Sequence, residues 1–172
     1  MRDFTPEEEK TNQATQDHIN VVAGLLNMMR SELSKRAVSH DQSKLSNPEL
    51  ATFVKFTPKL KGSEFGSDEY KGFLREMQPA LDHHFSIHRH HPEHFVDEPD
   101  LDKRNEILET GEGINQMNLI DILECLLDWK AASQRHATGD IMKSIDLNTK
   151  RFGLSDQLVK VLQNTVKDFD LA

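Results

Sequence analysis

The chain has 172 residues, 36% of them hydrophobic and 29% charged, with a formal net charge of −8. This length suits a single domain with its own core, and the composition excludes a disordered chain. The acidic balance argues against a protein that grips long nucleic acid, because that task needs clustered Lys and Arg. There is one cysteine, the N-terminus lacks the features of a signal peptide, and no apolar run is long enough to span a membrane. We therefore expect a cytosolic protein with no membrane partner.

The first predicted element is one long helix. Thr5-Pro6-Glu7-Glu8 is typical of a helix start, with an N-cap threonine followed by proline and glutamate. The helix is expected to run to about Arg36. Its apolar stripe includes Val22 and Leu25, and the helical period places His18 on the same inward face.

Shorter helices are predicted next. Ser46-Asn47-Pro48-Glu49 has the pattern of a capping box that opens a short helix, which is expected to end before Pro58. Residues 57–66 are predicted to form a loop, and a helix restarts near Ser67. Pro79 either kinks that helix or begins a new one.

The C-terminal half is also predicted to be helical. Residues 95–115 are polar and are expected to form a loop with at most one short helix. Residues 116–135 form the most apolar helix of the chain, and Asp121 interrupts it. Two amphipathic helices follow, over about 140–151 and 155–169. We expect one all-α domain, a helical bundle of five to seven helices that spans residues 1–172.

Histidine and aspartate are placed where a metal ion could collect them. Six of the nine histidines lie within residues 83–94, and His40-Asp41 follows a break after the first helix. Adjacent residues at a helix end diverge by about 100°, yet both can reach an ion just off that end. An imidazole and a carboxylate together suit Mn, Fe, Co, Ni or Zn, and Mg is also compatible. Inward-facing His18 and Asp121 would complete a ligand set that leaves positions open for water.

The His-rich segment could supply a second ion, which Asp41 would bridge to the first. The candidate ligands are His84 and His91, or their neighbours His83 and His90. The helical period places His84 and His88 on the apolar face of their helix. One ion or two, and which member of each doublet binds, stays open at this point.

Each candidate also has a purely structural interpretation. His18 could be a hydrogen-bonded core histidine, and Asp41 could be a helix N-cap. Asp121 could form a salt bridge to a basic residue of another helix. Asp128 and Arg135, seven residues apart on one face, are most simply an ion pair along their helix.

The order of these residues resembles that of the HD-domain metal-dependent phosphohydrolases. The pattern is a histidine, then His-Asp followed by Ser-Lys, then a His-rich segment and a late aspartate, and it covers roughly residues 15–130, with 138–172 left as C-terminal helices. The family is all-helical, and many members cleave phosphate esters of nucleotides. The resemblance implies the following metal ligands: His18, His40, Asp41 and Asp121. It also implies that Lys44 contacts phosphate.

Two further segments carry the resemblance. His90-His91-Pro92-Glu93 is similar to a His-His-Pro-Glu segment found in several members with two metal ions. The run from His40-Asp41 through this segment to Asp128-Trp129-Lys130 is also similar to a small uncharacterised family common in phages and bacteria. Small HD-domain proteins often form dimers, so the resemblance implies a homodimer as well.

The expected function is that of a metal-dependent phosphohydrolase, similar to a nucleotidase or phosphodiesterase, that acts on a nucleotide or related small phosphate ester through a metal-activated water. His84 or His91 would complete a second metal site or protonate the leaving oxygen. Lys44 would offset the phosphate charge. Further candidates for substrate binding are Lys130, Arg135 and Arg151.

An alternative function comes from a different class of protein. The chain could be a non-catalytic helical module with a metal site, phage-encoded and resident in the host cytoplasm, that binds a nucleotide signal or a host protein. A structural metal site is closed by four protein ligands, whereas a catalytic site keeps an open position.

Overall fold

The computed structural model describes residues 3–64, 67–135 and 139–171. These residues form nine α-helices and two 3₁₀ turns, and no strand occurs among them. The helices are α1 (Pro6–Ser39), α2 (Leu50–Gly62), α3 (Asp68–Glu76), α4 (Gln78–Ile87), α5 (Leu101–Glu109), α6 (Glu112–Asn115), α7 (Leu119–Ser133), α8 (Ile141–Phe152) and α9 (Asp156–Asp168). The all-α class is confirmed, with more helices than the five to seven expected. None of the described helices combines the length and apolarity needed to cross a bilayer.

The chain divides into two units, Met1–Ser39 and His40–Ala172. The first contains α1 alone, and its predicted N-terminal cap is confirmed: the Glu8 N–H donates to Thr5 Oγ1 at 3.2 Å, and the Thr5 N–H donates to the Glu8 carboxylate at 2.8 Å. No residue of α1 is buried. Leu25, on the predicted apolar stripe, is 54% exposed. The second unit, His40–Ala172, contains all the other helices.

The helices α2 to α4 differ from the prediction at their ends. Pro58 lies inside α2, which continues to Gly62, so the loop predicted over 57–66 is largely helical in its first half. No side-chain cap forms at the start of α2, and the predicted capping box is wrong there. Ser67 does cap α3, accepting from the Tyr70 N–H at 3.1 Å. Pro79 lies in the first turn of α4, so it begins a new helix.

The predicted loop over residues 95–115 contains α5 and α6. Asp100 caps α5 by accepting from the Lys103 N–H at 3.0 Å, and the helix then buries Leu108. Two short helices fit this polar stretch because only one narrow face of each needs to be apolar.

The core of the second unit lies between α5, α7, α8 and α9. Its buried members are Val96, Leu108, Ile114, Met117, Cys125, Leu126, Ile141, Ile145, Phe152, Leu154, Leu162 and Val166. Asn118 caps α7 with a capping box, so the helix begins at Leu119, three residues later than predicted. Each end of α8 and α9 lies within one residue of the predicted end. Residue 138, the first of the range predicted to hold the C-terminal helices, lies outside the described residues. One face of α7 packs into this core, and the opposite face supplies carboxylates to the cluster described below.

Gly153 is expected to tolerate no larger residue. It ends α8 with φ 58°, and a Cβ there would lie 2.4 Å from the backbone oxygen of Glu109. Gly153→Ala should lower the free energy of unfolding by about 2–4 kcal/mol, because left-handed backbone strain adds to overpacking. Gly72→Ala is the control, since a Cβ at Gly72 meets nothing within 4 Å and should stabilise α3 by about 0.5–1 kcal/mol. Urea unfolding followed by circular dichroism measures both, and equal stabilities would contradict this account.

Candidate metal centre

A tight turn at the start of the second unit directs the Asp41 carboxylate. Asp41 has φ 56° and ψ 12°, a left-handed conformation that Asp adopts more readily than most residues. The Lys44 N–H donates to the Asp41 carbonyl at 3.0 Å and closes the 3₁₀ turn Gln42–Leu45. Asp41 occupies the N-cap position of that turn but makes no side-chain capping bond. Its two carboxylate oxygens are thus left to other partners, and they face different sets of side chains.

Three imidazole rings surround one of these oxygens, Oδ1. His84 Nε2 lies 3.1 Å from Asp41 Oδ1, and His90 Nε2 lies 3.6 Å from it. His91 Nε2 lies 3.0 Å from His84 Nε2. Ligand atoms at about 2.1 Å from one ion lie about 3.0–3.4 Å apart, so these separations suit a common ion. We call Asp41, His84, His90 and His91 the inner ligand group.

Buried carboxylates orient two of these rings from behind. Glu49, which is fully buried, lies 3.0 Å from His84 Nδ1, and Glu124 Oε1 lies 3.2 Å from His90 Nδ1. When Nδ1 carries the proton and donates it to a carboxylate, the lone pair of Nε2 points at the shared position. Asp41 Oδ1 and His90 Nε2 are both buried without a hydrogen-bond partner. Buried polar atoms of this kind normally have a partner, and a cation would serve both.

A second set of possible ligands lies on the other side of Asp41. His40 Nε2 is 3.7 Å from Asp41 Oδ2 and 3.6 Å from Asp128 Oδ1. His40 Nδ1 forms a hydrogen bond of 2.9 Å with Glu124 Oε1, the oxygen that also contacts His90 of the inner group. We call His40, Asp41 and Asp128 the outer ligand group. Lys44 Nζ donates to Asp41 Oδ2 at 2.5 Å, within this outer group.

The charges of the cluster separate the histidines into two kinds. Hydrogen bonds to Asp128 and Glu124 raise the pKa of His40 to about 10. Burial opposes protonation of His90, but its partners Asp41 and Glu124 raise its pKa overall. Burial, together with the neighbouring rings, holds the pKa of His91 well below its usual range. The cluster therefore combines one ring whose pKa is lowered, His91, with two rings whose pKa is raised, His40 and His90.

The Asp41 carboxyl is held in its ionised form. Burial alone would raise its pKa, but His84, His90 and the ammonium of Lys44 lower it far below the usual range. An ionised carboxylate is the form that binds a metal ion, so Asp41 remains a competent ligand across the physiological pH range.

The metal-free protein should lose stability as the pH rises. The folded-state pKa of His40, about 10, exceeds the reference value of 6.5, so its contribution is complete below pH 6.5 and is lost as the pH rises through 10. Thermal unfolding after chelation should therefore give a falling melting temperature over that interval. Asp128→Asn removes the largest cause of the shift and should flatten the slope. An unchanged slope in Asp128→Asn would contradict the assignment.

Six of the predicted site residues meet in this cluster. The inner and outer groups contain the predicted residues His40, Asp41, His84, His90 and His91. Lys44 also lies in the cluster, where its ammonium forms an ion pair with the Asp41 carboxylate. In the doublet His83-His84, only His84 reaches Asp41. Both members of the doublet His90-His91 belong to the inner group.

Three predicted candidates belong to neither ligand group. His18 lies on α1, in the first unit, and its part in a metal site stays a prediction. His83 Nδ1 lies 2.7 Å from Glu49, on the far side of that carboxylate from the inner group. His88 Nε2 lies 2.8 Å from Ser43 Oγ, and burial lowers its pKa to about 4. His83 and His88 support the cluster without belonging to either ligand group.

Asp121, a predicted ligand, lies outside both ligand groups. Asp121 is fully buried, and its carboxylate accepts from Arg89 Nη2 at 2.9 Å and from the Asn118 N–H at 3.1 Å. It is thus the helix-capping and salt-bridge partner that the structural interpretation anticipated. The carboxylates that α7 brings to the cluster lie on later turns, at Glu124, which contacts His40 and His90, and at Asp128 of the outer group.

The predicted substrate-binding cations have varied surroundings. Lys130 is half-buried on α7, and Arg135 is exposed just after that helix. Arg151, on α8, forms an ion pair with Glu93 at 2.6 Å. Their part in substrate binding stays a prediction.

Sequence reasoning missed three acidic residues of the cluster. Glu49 had been assigned to a capping box, and Glu124 had not been named as a site residue. Asp128, predicted to pair with Arg135, faces His40 instead. The spacing of Glu124 and Asp128, four residues apart on an otherwise apolar helix, was the available signal, because residues at that spacing share a face.

Comparison with known families gives one result. A model of a family of unknown function, DUF5662, matches residues 7–168, which include every residue of both ligand groups. No curated protein and no solved structure matches the chain.

Proposed function

We propose that this chain, which belongs to the DUF5662 family of unknown function, is a metal-dependent phosphohydrolase of the HD-domain type. Its substrate would be a nucleotide or a related small phosphate ester. The observation that carries the proposal is the convergence of three imidazole nitrogens on a buried carboxylate oxygen that has no hydrogen-bond partner. The sequence resemblance supports phosphate esters over other substrates of metal-dependent hydrolysis.

The residues of the inner group fit a divalent transition metal. Three imidazoles and a carboxylate are ligands that suit Mn, Fe, Co, Ni or Zn better than Mg. The ligand residues in this proposal are Asp41, His84, His90 and His91. A bound ion of this kind supplies a Lewis acid and lowers the pKa of a coordinated water toward neutrality.

The outer residues would act on the substrate directly. Lys44 is about a quarter exposed, and its ammonium can offset the charge of a phosphoryl oxygen that approaches Asp41. His40 is 29% exposed and holds a proton at neutral pH, because its pKa is about 10. We assign the protonation of the leaving oxygen to His40 Nε2 rather than to His84 or His91, whose rings point at the metal position.

The non-catalytic module is a second candidate, and one observation favours it. The inner group offers four protein ligands, and two of them, His84 and His90, are almost completely buried. Four protein ligands would close a tetrahedral site of the structural kind. Such a module would bind a nucleotide signal or a host protein. The partly exposed His40 and Lys44 beside the inner group favour catalysis instead.

The proposal extends to the protein's setting. We place the chain in the cytoplasm, in that of the host if it is phage-encoded, where the free, buried Cys125 would stay reduced. A homodimer belongs to the same proposal through the family resemblance.

The test is metal content combined with turnover. Protein purified without a polyhistidine tag is analysed for metals by mass spectrometry, and phosphate release is assayed on a nucleotide panel with added Mn, Co, Ni, Mg or Zn. We expect bound metal and phosphate release that chelation stops and metal restores. Stoichiometric metal with no turnover, together with a large fall in melting temperature on chelation, would favour the module. Protein that binds no metal would overturn both candidates.

A further inference from the structure

The outer ligand group already contains a cation of the protein's own. Lys44 Nζ lies 2.5 Å from Asp41 Oδ2, the oxygen that faces His40 Nε2. A metal ion in the outer group would have to bind this same oxygen at about 2.0–2.2 Å. An ammonium and a divalent ion on one carboxylate oxygen would repel each other strongly, because both lie in a partly buried site.

Local structure keeps the ammonium where it is. Lys44 follows Asp41 by three residues, and the turn between them is closed by the hydrogen bond from its own N–H to the Asp41 carbonyl. Its Nζ also lies 5.1 Å from the centre of the Phe53 ring, close enough for a cation–π interaction that stabilises the ammonium there. The lysine is therefore positioned by the turn that positions Asp41, and only about a quarter of its side chain reaches solvent.

The inner group has no comparable occupant. Asp41 Oδ1 and His90 Nε2 have no hydrogen-bond partner, whereas Asp41 Oδ2 has Lys44. The two sides of one carboxylate thus differ: one lacks a cation and the other holds one.

We propose that the centre binds one divalent ion, in the inner group, and that the Lys44 ammonium takes the place of a second ion in the outer group. This inference rests on the metal site of the proposed function. It implies that a substrate phosphate would lie between one metal ion and a lysine rather than between two metal ions. Two positive charges on opposite sides of Asp41 would still neutralise the phosphoryl oxygens, although one of them cannot exchange.

The experiment counts metal ions. Metal-free protein is equilibrated with excess Mn²⁺ or Zn²⁺, and bound equivalents are measured by native mass spectrometry. Wild type should hold one ion, Lys44→Met should hold two, and Lys44→Arg, which keeps the cation, should hold one. Lys55→Met is the matched control, because Lys55 is exposed and pairs with Glu76 outside the cluster; it should hold one. Lys44→Gln replaces Lys44→Met if circular dichroism shows that the latter is unfolded.

Electron paramagnetic resonance of the manganese-loaded proteins gives an independent readout. Wild type should show the spectrum of an isolated Mn²⁺ ion, and Lys44→Met that of two coupled ions. Two ions in wild type would overturn this inference while leaving the proposed function standing, as would one ion in folded Lys44→Met or in the Lys44→Gln protein that replaces it. No ion in wild type would overturn the inference and the proposed function together.

Discussion

Asp41→Asn is expected to abolish metal binding and phosphate release together. Loss of a single outer carboxylate partner of a metal ligand costs about 10–100-fold in affinity, so loss of a charged ligand should cost more than about 100-fold. The amide would also place an NH₂ group toward either the inner histidines or Lys44, where a charged acceptor oxygen now lies. Isothermal titration with Mn²⁺ and a phosphate-release assay measure the two losses.

The fold should survive this substitution. Asn is among the few residues that adopt the left-handed conformation readily, so φ 56° at position 41 suits it. Asp146→Asn is the matched control, because Asp146 is exposed on α8 and the chemical change is the same. Asp146→Asn should bind metal and turn over as wild type does. Asp41→Asn protein that retained full metal content and activity would overturn the proposed centre.

The His-Asp doublet and the His-rich segment could be located from the sequence because their chemistry is local. His40 and Asp41 are adjacent, and His84, His90 and His91 lie within one helix and the turn after it. Periodicity selected His84 over His83 correctly, since only one of two adjacent residues can share the apolar face of a helix. The resemblance to the HD-domain phosphohydrolases, in the order of these residues along the chain, added the expectation that the two segments meet.

The acidic partners could not be found in the same way. Glu49 meets His84 across 35 residues, and Glu124 meets His40 across 84. Such contacts depend on how helices pack, which no local pattern encodes. Glu49 also had a local explanation, as part of a capping box, and that explanation drew attention away from its distant partner.

Asp121 shows the opposite error, because it had a local explanation that was not used. Asn118-Leu119-Ile120-Asp121 is itself a capping pattern, with an N-cap residue followed three positions later by an acid. A carboxylate buried on an apolar helix suggested a ligand, and the cap together with Arg89 accounts for it instead.

Glu49→Ala is expected to weaken metal binding and destabilise the second unit at once. Glu49 is fully buried and accepts from Ser43 Oγ at 2.9 Å, besides contacting His83 and His84. Removal of one partner from a buried charged set costs about 3–5 kcal/mol, because the remaining groups are left unsatisfied. Without the carboxylate behind it, His84 Nδ1 no longer has a fixed proton, and its Nε2 is no longer directed at the metal position. Metal affinity should therefore fall about 10–100-fold.

A variant that is destabilised elsewhere separates these two effects. Leu162 is buried on α9, and Leu162→Ala should cost about 2–5 kcal/mol of unfolding free energy through the cavity it leaves. Its metal affinity should equal that of wild type, since α9 contributes no residue to either ligand group. Glu49→Gln, which retains one acceptor oxygen, should fall between wild type and Glu49→Ala in both measurements. If Glu49→Ala and Leu162→Ala were equally destabilised and both bound metal as wild type does, Glu49 would be a structural acid, and the orientation of His84 would have to come from its own helix.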